Sequence, residues 1–211
     1  MPRDSAATRA RILDAAIEEF SAFGLAGARI DRIAAAADAN KRSIYVYFES
    51  KEGLFTAALH RVIDELVAVV PLTEDDLPGY AGRLFDHLLV RPQALRMSMW
   101  RHLERPDTGP DAGDVYAEKV VAMRRRGSAA DPGGIPPVDL LVLTLGLANS
   151  WLVTPDDLLR ADGSDPRSPE RLAVHRAAIV EAARRLGDPP STHRALRELG
   201  QRPGAAARSR S

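Results

Sequence analysis

The sequence predicts an all-α fold, and three observations support this prediction. Apolar residues recur three and four positions apart through most of the chain, which is the spacing that gives a helix one apolar face. No segment alternates apolar and polar residues as a half-buried strand does. Residues that cap or end helices separate the apolar segments. The 211 residues are enough for a small helical domain followed by a second domain with its own core.

The first predicted helix is Ala6–Phe23, and a short polar arm, Met1–Ser5, precedes it. Gly24 follows at the place where a helix typically ends in glycine. We expect this helix to supply most of the core of the N-terminal domain. Its apolar stripe consists of Ile12, Ala16, Phe20 and Phe23.

A helix-turn-helix is predicted for the next stretch. Ala28–Ala39 has an apolar face, and Asp38 lies where a chain reversal needs a residue that tolerates positive φ. Asn40 then caps a short second helix that ends at Phe48. Two crossed helices joined by a tight turn, the second with an exposed basic and aromatic face, are typical of this motif. The apolar face of the first helix consists of Ile30, Ile33, Ala34 and Ala37.

The short second helix presents one face to its own domain and the opposite face outward. On a helical wheel Ile44 and Phe48 point inward, whereas Arg42 and Val46 point away. Two tyrosines flank the outward face, where phenols can reach phosphates while the central side chains meet base edges. Taken alone, the pattern also fits an ordinary amphipathic helix with two half-buried tyrosines. The residues that we predict to contact DNA are Lys41, Arg42, Ser43, Tyr45, Val46, Tyr47 and Lys51.

Thr8–Leu59 resembles the DNA-binding domain of the TetR family of bacterial transcriptional regulators. The matching segments are ILDAAIEEFSAFG, IDRIAAAADANKRSIYVYF and SKEGLF, in the right order and spacing over about a quarter of the chain. Two positions depart from the family's usual pattern. Ala28–Arg29 stands where threonine usually precedes the first helix of the motif, so one phosphate contact lacks its usual residue. Asp38 replaces the usual turn glycine and brings a negative charge near the DNA without abolishing the turn.

The middle of the chain is predicted to consist of helices joined by an acidic hinge and a glycine- and proline-rich loop. Ser50 caps a long helix that runs to about Val70, the hinge is Pro71–Pro78, and the loop is Gly127–Pro137. The helices between hinge and loop are Tyr80–Val90, Pro92–Glu104 and Asp114–Arg126. We predict a DNA-binding domain at residues 6–60, an effector-binding and dimerisation domain at 61–200, and a basic, disordered tail at 201–211.

The segment Pro137–Val153 is apolar nearly all round, and such a helix must be covered on every side. A domain of this size covers one side itself, so the other side is expected to meet a partner chain. Arg171–Leu186 is a second helix with one apolar stripe, and the two together resemble the helix pair that forms the four-helix dimer interface of TetR-family proteins. The residues predicted for this interface are Leu140, Thr144, Leu147, Leu172, Ile179, Ala183 and Leu186.

The resemblance also implies a ligand-responsive C-terminal domain, in which an effector changes the spacing of the two DNA-reading helices. The second half of the chain is rich in Leu, Met and Trp and has few candidate buried charges, which favours a small, mainly apolar effector. Methionine and tryptophan at helical spacing also fit a plain core. The residues proposed for the pocket are His87, Arg96, Trp100, Met123, Asn149 and Trp151.

Composition excludes several other classes of protein. The chain has no cysteine, so disulfides, thiolate catalysis and cysteine zinc sites are excluded. His60 and Asp64 lie one turn apart without a third ligand in register, and Asp162–Asp165 lacks the spacing of a calcium loop, so we predict no metal and no cofactor. No catalytic arrangement can be argued from residue spacing, and we do not expect an enzyme.

The formal net charge is zero, so the prediction of DNA binding rests on where charges lie and not on their sum. The chain begins with no signal-peptide pattern and has no apolar run as long as a membrane span, so we expect a cytoplasmic protein. The resemblance to TetR-family regulators implies a homodimeric transcriptional repressor that binds a palindromic DNA operator and is released by a small hydrophobic effector. The alternative is an architectural or adaptor protein whose C-terminal domain only dimerises or binds a partner protein.

Overall fold

The computed structural model describes residues 2–73, 75–105, 113–126 and 135–187, and all regular secondary structure in these ranges is α-helical. This confirms the all-α prediction. None of the described helices is long and apolar enough to cross a lipid bilayer. In chain order the helices are α1 (Pro2–Gly27), α2 (Ile30–Ala36), α3 (Lys41–Phe48), α4 (Lys51–Val69), α5 (Leu77–Val90), α6 (Gln93–Glu104), α7 (Gly113–Arg126), α8 (Pro137–Val153), α9 (Asp156–Leu159) and α10 (Pro169–Gly187).

Helices α1, α2 and α3, the first half of α4 and the inner face of α6 enclose one apolar core. Ile12, Ala16 and Phe20 of α1 are fully buried, as the apolar stripe predicts. The rings of Phe20 and Phe55 meet edge to face with centroids 5.1 Å apart, a geometry that places the positive ring edge on the negative face. The predicted apolar face of α2 is buried as well, and it consists of Ile30, Ile33, Ala34 and Ala37.

Side-chain caps fix the starts of the two helices that follow the turn. The Asn40 side chain accepts a hydrogen bond from the Arg42 backbone N–H at 2.8 Å, and the Ser50 hydroxyl accepts one from the Gly53 N–H at 2.9 Å. Each cap satisfies a backbone donor that has no partner within its helix. Both caps confirm the sequence prediction.

Helix α1 begins at Pro2 and not at Ala6. Gly24 has φ 69° and ψ −177°, which are not helical angles, so the first helical segment ends there as predicted, and a kinked segment continues to Gly27. Phe23 is 49% exposed and so does not belong to the core stripe. The Arg32 guanidinium lies 4.4 Å from the centre of the Phe23 ring, so this aromatic side chain packs under a cation at the surface.

The C-terminal half packs around α5, which contacts both α8 and α10, while α7 packs against α8. Tyr80 and Phe85 of α5 are buried at the centre of these contacts. Helix α5 begins at Leu77, inside the segment predicted as a hinge, because the Asp76 carboxylate caps it by accepting the Gly79 N–H at 2.9 Å. The short helix α9 was not predicted, since four residues are too few for a periodic pattern.

The predicted boundary between residues 60 and 61 falls inside α4, which runs unbroken from the first core to the second. The two domains therefore share one continuous helix, which is the long connecting helix that the sequence predicted. The domain boundaries themselves stay predictions. The tail at residues 201–211 and residues 127–134 of the predicted loop lie outside the described residues.

Candidate nucleic-acid interface

Helix α3 is anchored by one face and free on the other. Ile44 and Phe48 are buried in the core, with exposed fractions of 0% and 6%. On the other face Val46 is 71% exposed and Tyr45 is 43% exposed, and Arg42 is also exposed. Because the anchoring residues are four apart, one short helix can be held firmly while its outer face remains available to a groove of DNA.

The turn before α3 sets the angle at which this helix leaves α2. Asp38 has φ 47°, so an aspartate occupies the left-handed region that the sequence pattern required. The Ala39 N–H donates to the Ala34 carbonyl at 3.0 Å and closes the turn. The missing glycine therefore does not disrupt the helix-turn-helix.

Two of the basic residues predicted to contact DNA already have partners. The Lys41 ammonium forms an ion pair of 2.9 Å with Asp31, whose hydrogen bond and charge raise the pKa of Lys41. The Lys51 ammonium donates to the Ala26 carbonyl at 3.3 Å, at the end of α1. Lys51 is the first residue of α4 and lies beside α3. Asp31 neutralises part of the charge of Lys41. Ser43 is half-buried.

The N-terminal turns of α1 lie beside α3, where the sequence predicted a separate arm. The Tyr47 hydroxyl donates to the Ser5 hydroxyl oxygen at 3.1 Å, and the Arg9 guanidinium lies 5.1 Å from the centre of the Phe48 ring. Sequence reasoning missed Ser5 and Arg9 at this site, because helical spacing within α1 gives no information about which residues approach α3.

The Glu19 side chain caps the start of α2, where the threonine of the usual family pattern is absent. Its carboxylate accepts the Arg29 backbone N–H at 2.8 Å and the Arg32 Nε–H at 2.8 Å, and only 9% of the side chain is exposed. Burial raises the pKa of Glu19, but the hydrogen bonds and charges of Arg32 and Arg29 outweigh it, so the pKa lies below its usual value. The Glu19 carboxylate of α1 thus caps the neighbouring helix α2.

Replacing Glu19 with glutamine should destabilise the protein at neutral pH by about 1–3 kcal/mol, since a buried charge-assisted cap is lost. A group whose pKa is lowered on folding contributes stability above its ordinary pKa of 4.5, and this contribution disappears as pH falls through the folded pKa. The unfolding free energy of Glu19→Gln, measured by urea titration, should therefore fall less steeply below about pH 5 than that of the wild type. Exposed Glu118→Gln is the control, and equal slopes for all three proteins would contradict the assignment.

Two sequence families match separate parts of the chain. Residues 12–58 match "Bacterial regulatory proteins, tetR family", and residues 76–185 match "Tetracyclin repressor-like, C-terminal domain". The second match alone spans more than half of the 211 residues. The chain belongs to the TetR family.

Relatives within the TetR family match over different extents. The HTH-type transcriptional repressor SCO4008 of Streptomyces coelicolor is 39% identical over 193 residues, which are 88% of this chain and 98% of that protein. The transcriptional regulator RutR of Escherichia coli is 36% identical over 80 residues, 38% of each protein. The crystal structure of the regulator SCO4942 from S. coelicolor superposes with a TM-score of 0.74 at 37% identity, covering 87% of this chain and 99% of that one.

TetR-family regulators bind operator DNA and act as dimers, so the predicted interface on α8 and α10 is the second candidate site. Four of the seven predicted interface residues are buried within the single chain. Ile179 and Ala183 are 2% and 0% exposed within the single chain, and Leu140 and Thr144 are also buried. The remaining three pack partly buried against the same inner clusters, and they are Leu147, Leu172 and Leu186. The four buried residues pack within the single chain, so they are not available to a partner, whereas the three half-buried leucines stay predictions.

Both α8 and α10 carry exposed apolar residues beside exposed charged ones such as Asp139 and Arg184, and we name the set of exposed apolar residues the outer apolar face. Ser150 of α8 lies 3.3 Å from the His175 ring of α10, so the two helices are neighbours. Val142 is 60% exposed and Val174 is 64% exposed, values far above those of core valines. The outer apolar face consists of Val138, Val142, Leu143, Gly146, Val153, Ala173, Val174, Ala177 and Ala178.

The six residues predicted for the ligand pocket are not brought together. Trp100 packs on α1, where its indole N–H donates to the Ser21 carbonyl at 3.3 Å, and Met123 is buried in the second core cluster. Trp151 stacks on His175 at 4.3 Å in a third cluster. Arg96 is exposed and Asn149 is half-buried on α8. Only His87 lines a large cavity among those found in the described part of the protein.

No group of three or more potential metal ligands occurs among the described residues. His60 and Asp64 therefore stand without a third ligand in that part of the chain. Asp162–Asp165 forms a turn, in which the Asp162 carboxylate accepts the Ser164 N–H at 2.9 Å and Gly163 has φ 80°.

Proposed function

We propose that this TetR-family regulator is a homodimeric repressor that binds a palindromic operator and is released from it by a small, mainly apolar ligand. The observation that carries the DNA-binding part is the geometry of α3. Its inner face is buried in the core, while Arg42, Tyr45 and Val46 are exposed on the opposite side. Two such helices on a symmetric dimer would meet half-sites about one helical turn apart, or a multiple of that distance.

Each predicted contact residue of α3, and Lys51 at the start of α4, has a role that follows from its chemistry. Arg42, at the N-terminal end, is suited to a guanine edge, where a guanidinium can donate to O6 and N7 together. Val46 has no polar atoms and is suited to a thymine methyl group. Tyr45, Tyr47 and Lys51 lie at the flanks and are suited to phosphates, which fix the position of the helix without reading sequence.

Arg42→Ala should weaken binding to the true operator by about 1–3 kcal/mol and relax the preference at one base pair per half-site. Lys51→Ala should instead weaken binding to operator and scrambled DNA alike, because a phosphate contact carries no sequence information. Its plot of log K against log salt should become shallower by about one unit per lost contact. Fluorescence anisotropy over a salt series on both DNAs measures all three effects.

The two variants serve as controls for each other because both remove one positive charge at the same domain. Equal weakening of both DNAs by Arg42→Ala, together with altered base preference in Lys51→Ala, would mean that α3 lies differently in the groove. Undiminished operator binding by both variants would refute the DNA-binding role of α3 itself.

A joint between α6 and α1 offers a route by which the C-terminal domain can move the DNA-binding domain. The Glu104 carboxylate at the end of α6 accepts the backbone N–H groups of Leu25 at 2.6 Å and Ala26 at 3.2 Å, just after the kink of α1. Trp100 of α6 packs on the same kink. A ligand that favours a different position of α6 would act on α1 through these contacts, provided that it binds the DNA-incompetent state more tightly.

A further inference from the structure

Lys119 on α7 places its ammonium group against the phenol of Tyr80 on α5. The Lys119 Nζ donates a hydrogen bond to the Tyr80 hydroxyl oxygen at 2.8 Å. Tyr80 is completely buried in the second core cluster, next to Met123, whereas Lys119 is half-buried and keeps contact with solvent. A positive charge therefore lies between two helices at the edge of an apolar core.

The charge of Lys119 has no counter-ion among the described residues. Within that part of the chain its hydrogen bond goes to the neutral Tyr80 hydroxyl, and no carboxylate lies within ion-pair distance. Burial lowers the pKa of Lys119, whereas the hydrogen bond and charge of Asp31 raise the pKa of Lys41 in the DNA-binding domain. A half-buried ammonium is costly without an anion beside it, so the surroundings of Lys119 favour a negatively charged guest.

Two phenol groups add hydrogen-bond donors beside the ammonium. Burial and the charge of Tyr116 raise the pKa of Tyr80 to about 12, so the Tyr80 hydroxyl keeps its proton at neutral pH. That hydroxyl accepts from Lys119, and its own proton has no acceptor among the described residues. Tyr116 lies three residues before Lys119, on the same face of α7, and is 46% exposed. We name Tyr80, Tyr116 and Lys119 the Lys119 cluster, which offers donors and is open to solvent on the side of Tyr116.

We infer that the Lys119 cluster binds the carboxylate of a small organic acid with an apolar chain. A carboxylate has two oxygens with about four lone-pair sites, so it can accept from the ammonium and the phenols together. Val120, beside Lys119 on α7, is half-buried against the second core cluster and would contact the apolar chain. The inference rests on the proposed function, because it assigns the ligand of the C-terminal domain to a chemical class and a place.

Octanoate and octanamide are matched probes, since they have the same chain and differ in the charge of one end group. Titration calorimetry with the full-length protein should show one octanoate per chain, bound at least about tenfold more tightly than octanamide. Inorganic phosphate should not displace octanoate, because a strongly hydrated anion without an apolar part is costly to transfer to the edge of an apolar core.

Four variants test whether octanoate binds at the Lys119 cluster. Lys119→Met removes the charge at similar side-chain length and should weaken octanoate binding by about tenfold or more. Tyr80→Phe and Tyr116→Phe each remove one hydroxyl and should each weaken it by about threefold or more. Lys41→Met is the matched control, since Lys41 lies in the DNA-binding domain and is paired with Asp31, and it should bind octanoate like the wild type.

Thermal unfolding provides a second readout of the same site. Octanoate should raise the melting temperature of the wild type, because a ligand that binds only the folded state stabilises it. It should not raise the melting temperature of Lys119→Met at the same concentration. If Lys119→Met does not fold, Tyr116→Phe decides the question, because its position is exposed and the core does not depend on it.

The inference is overturned if octanoate does not bind, if octanamide binds as tightly, if phosphate displaces octanoate, or if Lys119→Met and Tyr116→Phe bind it like the wild type. In each of these cases the proposed function survives, provided that the wild type still binds its operator DNA. Failure of the wild type to bind operator DNA without any probe would instead refute the proposed function.

Discussion

Replacing Val142 with aspartate is expected to convert the dimer into monomers and to weaken operator binding by at least about a hundredfold, because a monomer can engage only one half-site. Val142 lies in the outer apolar face and is 60% exposed in the single chain. A two-fold interface brings the same surface of both chains together, so each substitution places two unpaired carboxylates at the contact. Light scattering at micromolar concentration measures the mass, and anisotropy measures operator affinity.

Two other substitutions separate loss of the interface from loss of the fold. Val90→Asp introduces the same charge at a valine that is 79% exposed on α5, outside the outer apolar face, and should remain dimeric. Ile179→Asp places the charge at a side chain that is 2% exposed in the core, so it should unfold the C-terminal domain and lose helical circular dichroism. A folded Val142→Asp protein with the mass of a dimer would show that the chains associate through another surface.

Replacing Gly24 with alanine is expected to destabilise the protein and to loosen α6 from α1. Gly24 has φ 69°, a conformation that costs an L-residue about 1 kcal/mol or more. A Cβ at this position would also lie 2.6 Å from Glu104 Oε1 and 2.8 Å from a ring carbon of Trp100. Because both neighbours belong to α6, the methyl group must displace that helix or break its hydrogen bonds to α1. We expect a total loss of about 2–4 kcal/mol in unfolding free energy.

Gly163→Ala is the matched control for the backbone strain. Gly163 has φ 80°, but a Cβ there would meet no heavy atom within 4 Å. The difference between the two variants in denaturant titrations therefore measures the contact between α6 and α1. Glu104→Gln should reproduce part of the Gly24→Ala effect, since a neutral amide accepts the two N–H groups less strongly. Equal destabilisation by Gly24→Ala and Gly163→Ala would mean that α6 does not depend on this joint.

The helix-turn-helix could be predicted closely because its signals are local. Ile44 and Phe48 are four residues apart on a helix capped by Asn40, and that spacing alone determines which face turns inward. The capping of α2 could not be predicted in the same way. It depends on Glu19, ten residues upstream on another helix, and no local pattern links the two. The contact of Glu104 with Leu25, 79 residues away, could not be inferred from sequence for the same reason.

The sequence by itself determined that the chain is all helical, where most helices begin, and which face of α3 is exposed, because periodicity and caps act within a few residues. Only the tertiary structure decided which faces of α8 and α10 are free. Helix α8 is apolar nearly all round, so its composition cannot tell the side that packs on α5 from the side that remains exposed, and the stripe of α10 does not show which neighbour covers it. The position of the groove between α1, α4 and α5 was decided in the same way, since it belongs to none of these helices alone.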